Sequence, residues 1–342
     1  MTPVHRLRFA VVALLVSGPL TLAAQSVTSL KAAGATFPYP LYSKWFSSYH
    51  RANPEIEITY DATGSEAGVR RLLTGEVDFA ASDNPQIVAN IAPRDESRYL
   101  LLPSIAGAVV PIVNLPGVAA DVRFTPAALS GIYLGKIRKW NDPLLKSANK
   151  GVVLPDLDIV VIHRADGSGT TFAWTDFLSK TSPDWKATVG CSMTPNWPVG
   201  RGAEGNGGVA KLVKELEGSI GYVEFIYALQ NHLSFGSVRN EKGRFVAADL
   251  DSIEAAATEA TAVSGDLKAS LVNAPGAEAY PIATFTWFVV PAHIEDSAKR
   301  RAIKDFLAWM AGAGQRQAAA LGYVALPKTV IEAEGPALDK IN

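Results

Sequence analysis

The chain has 342 residues, one cysteine and a formal net charge of −1, with 48% hydrophobic and 19% charged residues. A near-neutral balance of this kind offers no basic face for nucleic acid or anionic lipid. A lone Cys191 allows neither an internal disulfide nor a Cys-based metal cluster, and reads as an unpaired residue near a turn.

Residues 1–24 read as a secretory signal. His5, Arg6 and Arg8 form a basic start, residues 9–16 an apolar core, and Leu22-Ala23-Ala24 a cleavage region of small residues. A membrane anchor needs about 20 apolar residues, and Ser17-Gly18-Pro19 breaks the run too early. No cysteine lies near the cleavage region, so no lipid attachment is implied. Losing Arg6 and Arg8 takes the net charge from −1 to −3. The expected product is soluble in the periplasm of a double-membraned bacterium, and its length suits two lobes better than one core.

Strand and helix patterns then alternate, which predicts α/β layers with mainly parallel sheets. Lys31-Ala32-Ala33 leads through Gly34-Ala35 to Thr36-Phe37-Pro38 and a helix with Leu41, Trp45 and Tyr49 on its apolar face, flanked by Tyr42 and Phe46. Pro38 and Pro40 fall in its first turn, where a missing N–H is harmless. Residues 55–62 alternate like a strand, and Thr63-Gly64-Ser65 opens a helix carrying Val69, Leu72 and Leu73. Residues 77–82 form another strand, which ends at Asp83. Further on, Ile159-Val160-Val161-Ile162 delivers Arg164, and a helix opens at Ser168-Gly169-Thr170 with Trp174, Phe177 and Leu178 on one face.

The stretch Arg164-Ala165-Asp166-Gly167-Ser168-Gly169-Thr170 has the chemistry of an anion site. The first N–H groups of a helix lack internal partners, glycines let a ligand approach the backbone, and Arg164 offers a planar fork to an oxyanion. The same residues also read as a capped helix after a buried strand, with Arg164 and Asp166 as a local ion pair, and alone they do not decide. Three helix openings of this Gly and Ser/Thr type, joined by Asp83, could converge on one anion.

These segments resemble the periplasmic phosphate-binding proteins of phosphate-specific ABC transporters. The resemblance runs from residue 30 to 327. It is carried by Gly34-Ala35-Thr36-Phe37-Pro38, Val77-Asp78-Phe79-Ala80-Ala81-Ser82-Asp83, Ile132-Tyr133-Leu134-Gly135-Lys136-Ile137, Arg164 through Thr170, and Gly218-Ser219-Ile220-Gly221-Tyr222-Val223-Glu224. It implies a two-lobed periplasmic-binding-protein fold (type II), with mainly parallel sheets and two hinge crossings. The apolar stretches 105–113 and 280–290 are the candidate crossings, which gives one lobe of 26–108 plus 280–342 and another of 109–279. It implies inorganic phosphate in the cleft between them, held by Thr36, the Phe37 N–H, Ser65, Asp83, Arg164, Ser168, the Gly169 N–H and Thr170, with Asp166 pairing the arginine. It further implies a monomer that serves an ABC permease heterodimer with a cytoplasmic ATPase, with no catalytic step, metal or cofactor.

Two acidic positions carry separate expectations. Hydrogen phosphate can donate a hydrogen bond and sulfate cannot, so an ionised Asp83 would accept from the first and repel the second. Rejection of that kind can reach about 10⁴-fold. Asp83 before Asn84-Pro85 is also an ordinary turn opener. Glu66 departs from the small residues usual after Gly-Ser in the resembled family. A carboxylate suits a first helical turn, and it is expected to face solvent, away from the anion.

Other motifs point elsewhere with less force. Gly200-Arg201-Gly202-Ala203-Glu204-Gly205 matches a dinucleotide fingerprint but follows Pro195, Trp197 and Pro198 rather than a strand, so a loop is expected, leading to a helix over 206–217. No Walker A sequence is present. Asp166-Gly167-Ser168-Gly169 lacks the leading Gly of a nucleophile elbow, and His163 would face away from Ser168 on a regular strand. His50, His232 and His293 show no metal-ligand spacing, and Trp45, Trp140 and Trp174 read as packing residues. A sulfate receptor, a secreted phosphatase on the same scaffold, and a phosphate-sensing or adhesive surface protein remain as alternatives.

Overall fold

The computed structural model describes residues 27–118, 121–264 and 268–342, and the leader expected at 1–24 lies outside them. The chain begins with β1 (Thr28–Gly34), α1 (Tyr39–Ala52), β2 (Ile56–Asp61), α2 (Ser65–Leu73), β3 (Phe79–Ser82), α3 (Ile87–Ile91) and the long strand β4 (Tyr99–Val113). It continues through β5 (Arg123–Phe124), α4 (Pro126–Tyr133), α5 (Pro143–Ala148), β6 (Val160–Arg164), α6 (Gly169–Thr181), α7 (Pro183–Thr188) and β7 (Arg201–Ala203). Next come α8 (Gly205–Glu215), β8 (Ser219–Glu224), α9 (Phe225–Gln230), β9 (Ser234–Phe235), β10 (Ser237–Arg239), β11 (Phe245–Val246) and α10 (Leu250–Ser264). The closing elements are β12 (Ala283–Pro291), α11 (Ser297–Trp309) and α12 (Lys328–Leu338).

The main sheet has the strand order β2-β1-β3-β12-β4-β8-β6-β7, with β9 also pairing β4, and β11-β10-β5 form a small separate sheet. Outer strands pair in parallel on both sides, β1 with β2 and β3, and β6 with β7 and β8. The expected parallel pairing therefore holds where a helix separates successive strands. The central strands are antiparallel to their neighbours. They carry the chain across the molecule in opposite directions, β4 outward and β12 back. Residues 99–108 of β4 pair with β12, and residues 109–113 pair with β8. One continuous strand thus joins the β1–β3 side to the β6–β8 side.

Each side has its own aromatic core. On the first, Tyr42, Phe46, Phe79, Phe288 and Phe306 pack ring to ring. On the second, Trp174 stacks on Tyr222 at 4.9 Å and Tyr133 meets both. Trp45 and Trp140 are fully buried and donate to the carbonyls of Gly314 and Gly218, as packing tryptophans with a polar handle should.

Helix α2 is set unusually close to β1. A methyl group added at Gly68 would lie 2.3 Å from Gly34 Cα, so only glycine permits the approach. The helix is entered through Gly64 at φ +94°, a conformation that glycine adopts without the penalty of a Cβ. This packing brings Ser65 to the carboxyl end of β3, beside Asp83.

Candidate functional site

The sheet delivers the expected residues to one place. Thr36 and Phe37 follow β1, Asp83 follows β3, Arg164 ends β6, Ser65 opens α2, and Ser168 caps α6, accepting from Thr171 N at 3.0 Å. Thr36, Phe37, Ser65, Asp83, Arg164, Ser168, Gly169 and Thr170 are all buried. The two sides of the sheet meet here. Gly169 N donates to Ser65 Oγ at 3.1 Å, and a methyl at Gly169 would strike Ser65 Oγ and the Asp83 backbone.

The hydroxyls share a pattern. Thr36 Oγ1 accepts from Asn206 N at 3.2 Å and Asn206 Nδ2 at 2.8 Å. Ser65 Oγ accepts from Gly169 N and, at 3.4 Å, from Asp83 N. Ser168 Oγ accepts from Thr171 N. Among the described residues the protons of these three hydroxyls meet no acceptor, and neither does the buried N–H of Phe37. Buried donors without partners are costly. Each of these hydroxyl oxygens already accepts from the protein and its proton is left over, so the cluster is built to donate. Its complement is a group rich in acceptors.

Charge is arranged to match. Arg164 is 3% exposed and is fixed by Asp166, which accepts from its Nε at 2.7 Å and also pairs with Nη2. Asp166 also accepts from Gly205 N at 3.1 Å. Burial alone would raise the Asp166 carboxyl, but Arg164 holds it below the usual carboxylate range. The pair leaves Arg164 Nη1 with a single long contact, 3.4 Å to Thr170 Oγ1. Asp83 is 1% exposed and accepts from Thr286 Oγ1 at 2.6 Å. Burial pushes its carboxyl up to about 7, against the opposing pull of Thr286, Arg164 and Thr170. An acid of that kind changes between acceptor and donor near neutral pH.

Residues 21–313 match the PBP superfamily domain. The chain is 41% identical over 315 residues to the phosphate-binding protein PstS of Pasteurella multocida, covering 92% of this chain and 90% of that protein. It is 40% identical over 305 residues to the PstS of Xylella fastidiosa strain Temecula1, with 89% and 83% covered. The chain belongs to the PstS family. Among solved structures, a putative phosphate ABC transporter substrate-binding protein of Clostridium perfringens with bound phosphate superposes with a TM-score of 0.63 at 18% identity, covering 88% of this chain and 100% of that one. The PstS fold seen here is accordingly the two-lobed type II arrangement.

Three features of this PstS chain escape a reading of its sequence. Asn206, fully buried at the start of α8, donates to Thr36 and, at 3.2 Å, to Thr170, and accepts from Glu224 N at 2.9 Å. It sets the direction of two site hydroxyls that are 134 positions apart in the chain. Thr286 reaches Asp83 because the register of β12 against β4 shifts between Thr286 and Trp287, and bulges re-aim side chains in this way. The Gly200 to Gly205 stretch, expected as a loop, contains the edge strand β7, which pairs with β6. An Asn opening a helix was the one available signal for Asn206, and nothing local marks Thr286.

Other expectations meet the structure directly. His163 stacks on Trp197 at 4.8 Å and its Nδ1 lies 3.0 Å from Arg164 O, away from Ser168. Cys191 is a free, exposed cysteine. Glu66 is held by Arg70, whose Nη2 and Nε donate to Oε1 at 2.6 and 3.0 Å, and its side chain is only 22% exposed. It lies over Gly167 at the seam rather than out in solvent, with its carboxylate paired to Arg70 one turn further along the helix.

Proposed function

We propose that this chain captures inorganic phosphate outside the cytoplasm and presents it to the paired permease subunits of an ABC importer driven by a cytoplasmic ATPase. The observation that carries the reading is the donor surplus. Among the described residues the Thr36, Ser65 and Ser168 hydroxyls and the Phe37 N–H meet no acceptor, Arg164 stands behind them, and the carboxyl of Asp83 stands among them. In this assignment the donors hold the phosphate oxygens together with Thr170 and with the Gly169 N–H, which turns from Ser65 Oγ to the anion on binding. Asp166 keeps Arg164 oriented, and Asp83 inspects the phosphate proton. An oxyanion with four acceptor oxygens and one hydroxyl satisfies both sets at once. Relatives named as phosphate-binding proteins over some nine-tenths of the chain support the same ligand.

The molecule divides into lobes of 26–108 plus 280–342 and of 109–279, joined by β4 and β12, with the anion at their seam. Desolvation on closure strengthens each polar contact. The surroundings of Ser168 support a binding role without catalysis, since His163, the nearest candidate base along the strand, packs against Trp197. The basic start, apolar core and small-residue end of residues 1–24 support export to the periplasm, where the chain acts as a monomer. No helix of the described residues is long and apolar enough to cross a membrane.

Calorimetric titration of the chain lacking its first 24 residues tests the proposal. One saturable phosphate site is expected at pH 8, with sulfate competing at least about 10³-fold more weakly. Absence of phosphate binding, or equal binding of the two anions, contradicts it.

A further inference from the structure

Across the seam two acids and two glycines pack reciprocally. A methyl added at Gly64, on the α2 side, would lie 2.5 Å from Asp166 Oδ2 on the α6 side. A methyl added at Gly167, on the α6 side, would lie 2.5 Å from both Cβ and Oε2 of Glu66 on the α2 side. Glu66 also donates its backbone N–H to Gly167 O at 3.0 Å. The two contacts are not equivalent. Asp166 belongs to the Arg164 pair and is accounted for by the anion site. Glu66 touches nothing in that site; its carboxylate is paired with Arg70 on its own helix, one turn further on.

From this geometry we propose that Glu66, held in place by Arg70, is a latch that slows the opening of the cleft and so sets the rate at which bound phosphate leaves. The inference rests on the phosphate-capture reading above. Separation of the two sides breaks the hydrogen bond from Glu66 N to Gly167 O and exposes the face that Glu66 covers. Arg70 grips Oε1 with two donors, so the covering rotamer is held before closure and little side-chain entropy is lost on docking. The same ion pair offsets a negative charge that would otherwise face an incoming anion. Gly167 is the receiving position. Its φ lies outside the left-handed region, and the three atoms nearest an added methyl, at 2.5 to 3.1 Å, all belong to Glu66.

The test is a kinetic double-mutant cycle on phosphate release, followed by stopped-flow displacement. Glu66→Ala is expected to speed release by roughly 3- to 30-fold, with Glu66→Gln in between because it keeps the shape and loses the ion pair. Gly167→Ala alone is expected to speed release similarly, and that effect is expected to shrink several-fold when Gly167→Ala is combined with Glu66→Gly. Unchanged or slower release from Glu66→Ala overturns the proposal, as does a Gly167→Ala effect that is equal in both backgrounds. Wild-type protein that fails to bind phosphate overturns the capture reading instead, so the two failures are distinguishable.

Discussion

At the scale of single residues the proposed site works by turning hydroxyl protons toward the ligand. Thr36, Ser65 and Ser168 oxygens are occupied by backbone or Asn206 donors, which leaves each hydroxyl proton for the ligand. Removing one neutral hydroxyl should therefore cost less than removing the charged fork. We expect Ser65→Ala to weaken phosphate binding about 10-fold and Arg164→Ala by at least about 10²-fold, both measured by calorimetry. Equal losses would contradict the assigned hierarchy. The residues that touch the proposed anion are legible in sequence because short motifs carry them. Asn206 and Thr286 are not, since their roles depend on contacts to residues 170 and 203 positions away.

At the scale of elements the decisive feature is how tightly α2 sits on β1. Gly68 faces Gly34 with no room for a side chain, and Ser65 lies one turn earlier on the same helix. Gly68→Ala should push α2 outward, cost about 1–3 kcal/mol of stability through overpacking, and weaken phosphate binding as Ser65 withdraws. Urea unfolding and calorimetry on the same variant check both effects. A stable variant with unaltered affinity would show that the packing is not what positions Ser65. Helix and strand periodicity exposed β1, α1, β2, α2, β3, β6, α6 and α8, including the apolar faces of α1 and α6. The three-residue edge strand β7 did not show, because Pro195, Trp197 and Pro198 mask so short a run.

At the scale of the whole molecule, one continuous strand ties two aromatic cores together, and the returning strand β12 pairs beside it. Alternating strand and helix patterns predict α/β layering and the chain length predicts two lobes, but neither discloses that both connecting strands run antiparallel to their neighbours. That follows from the chain leaving one side and coming back. Global stability should carry the mark of a second buried acid. Glu334 in α12 is 3% exposed, its Oε1 has no hydrogen-bond partner among the described residues, and burial pushes its carboxyl up to about 8. With the folded value raised above the ordinary 4.5, its contribution is fullest below that value and is lost as pH climbs toward 8. Glu334→Gln should narrow that loss, giving on the order of 2 kcal/mol of relative stabilisation at pH 8 and little at pH 4.5, read from thermal unfolding at the two pH values. A pH-independent difference would contradict this origin.

Asp83 links all three scales, since in the proposed reading it is the acid that faces the bound anion and decides which anion the closed molecule accepts. Its carboxyl sits near 7, so raising the pH removes the proton that sulfate would need from the protein, while phosphate continues to bring its own. The most direct measurement is the phosphate-to-sulfate affinity ratio from pH 5.5 to 8, for the wild type and for Asp83→Asn. The ratio should rise at least about 10-fold with pH in the wild type and stay low and flat in the variant. A flat wild-type ratio, or a variant that keeps the full preference, would contradict the account.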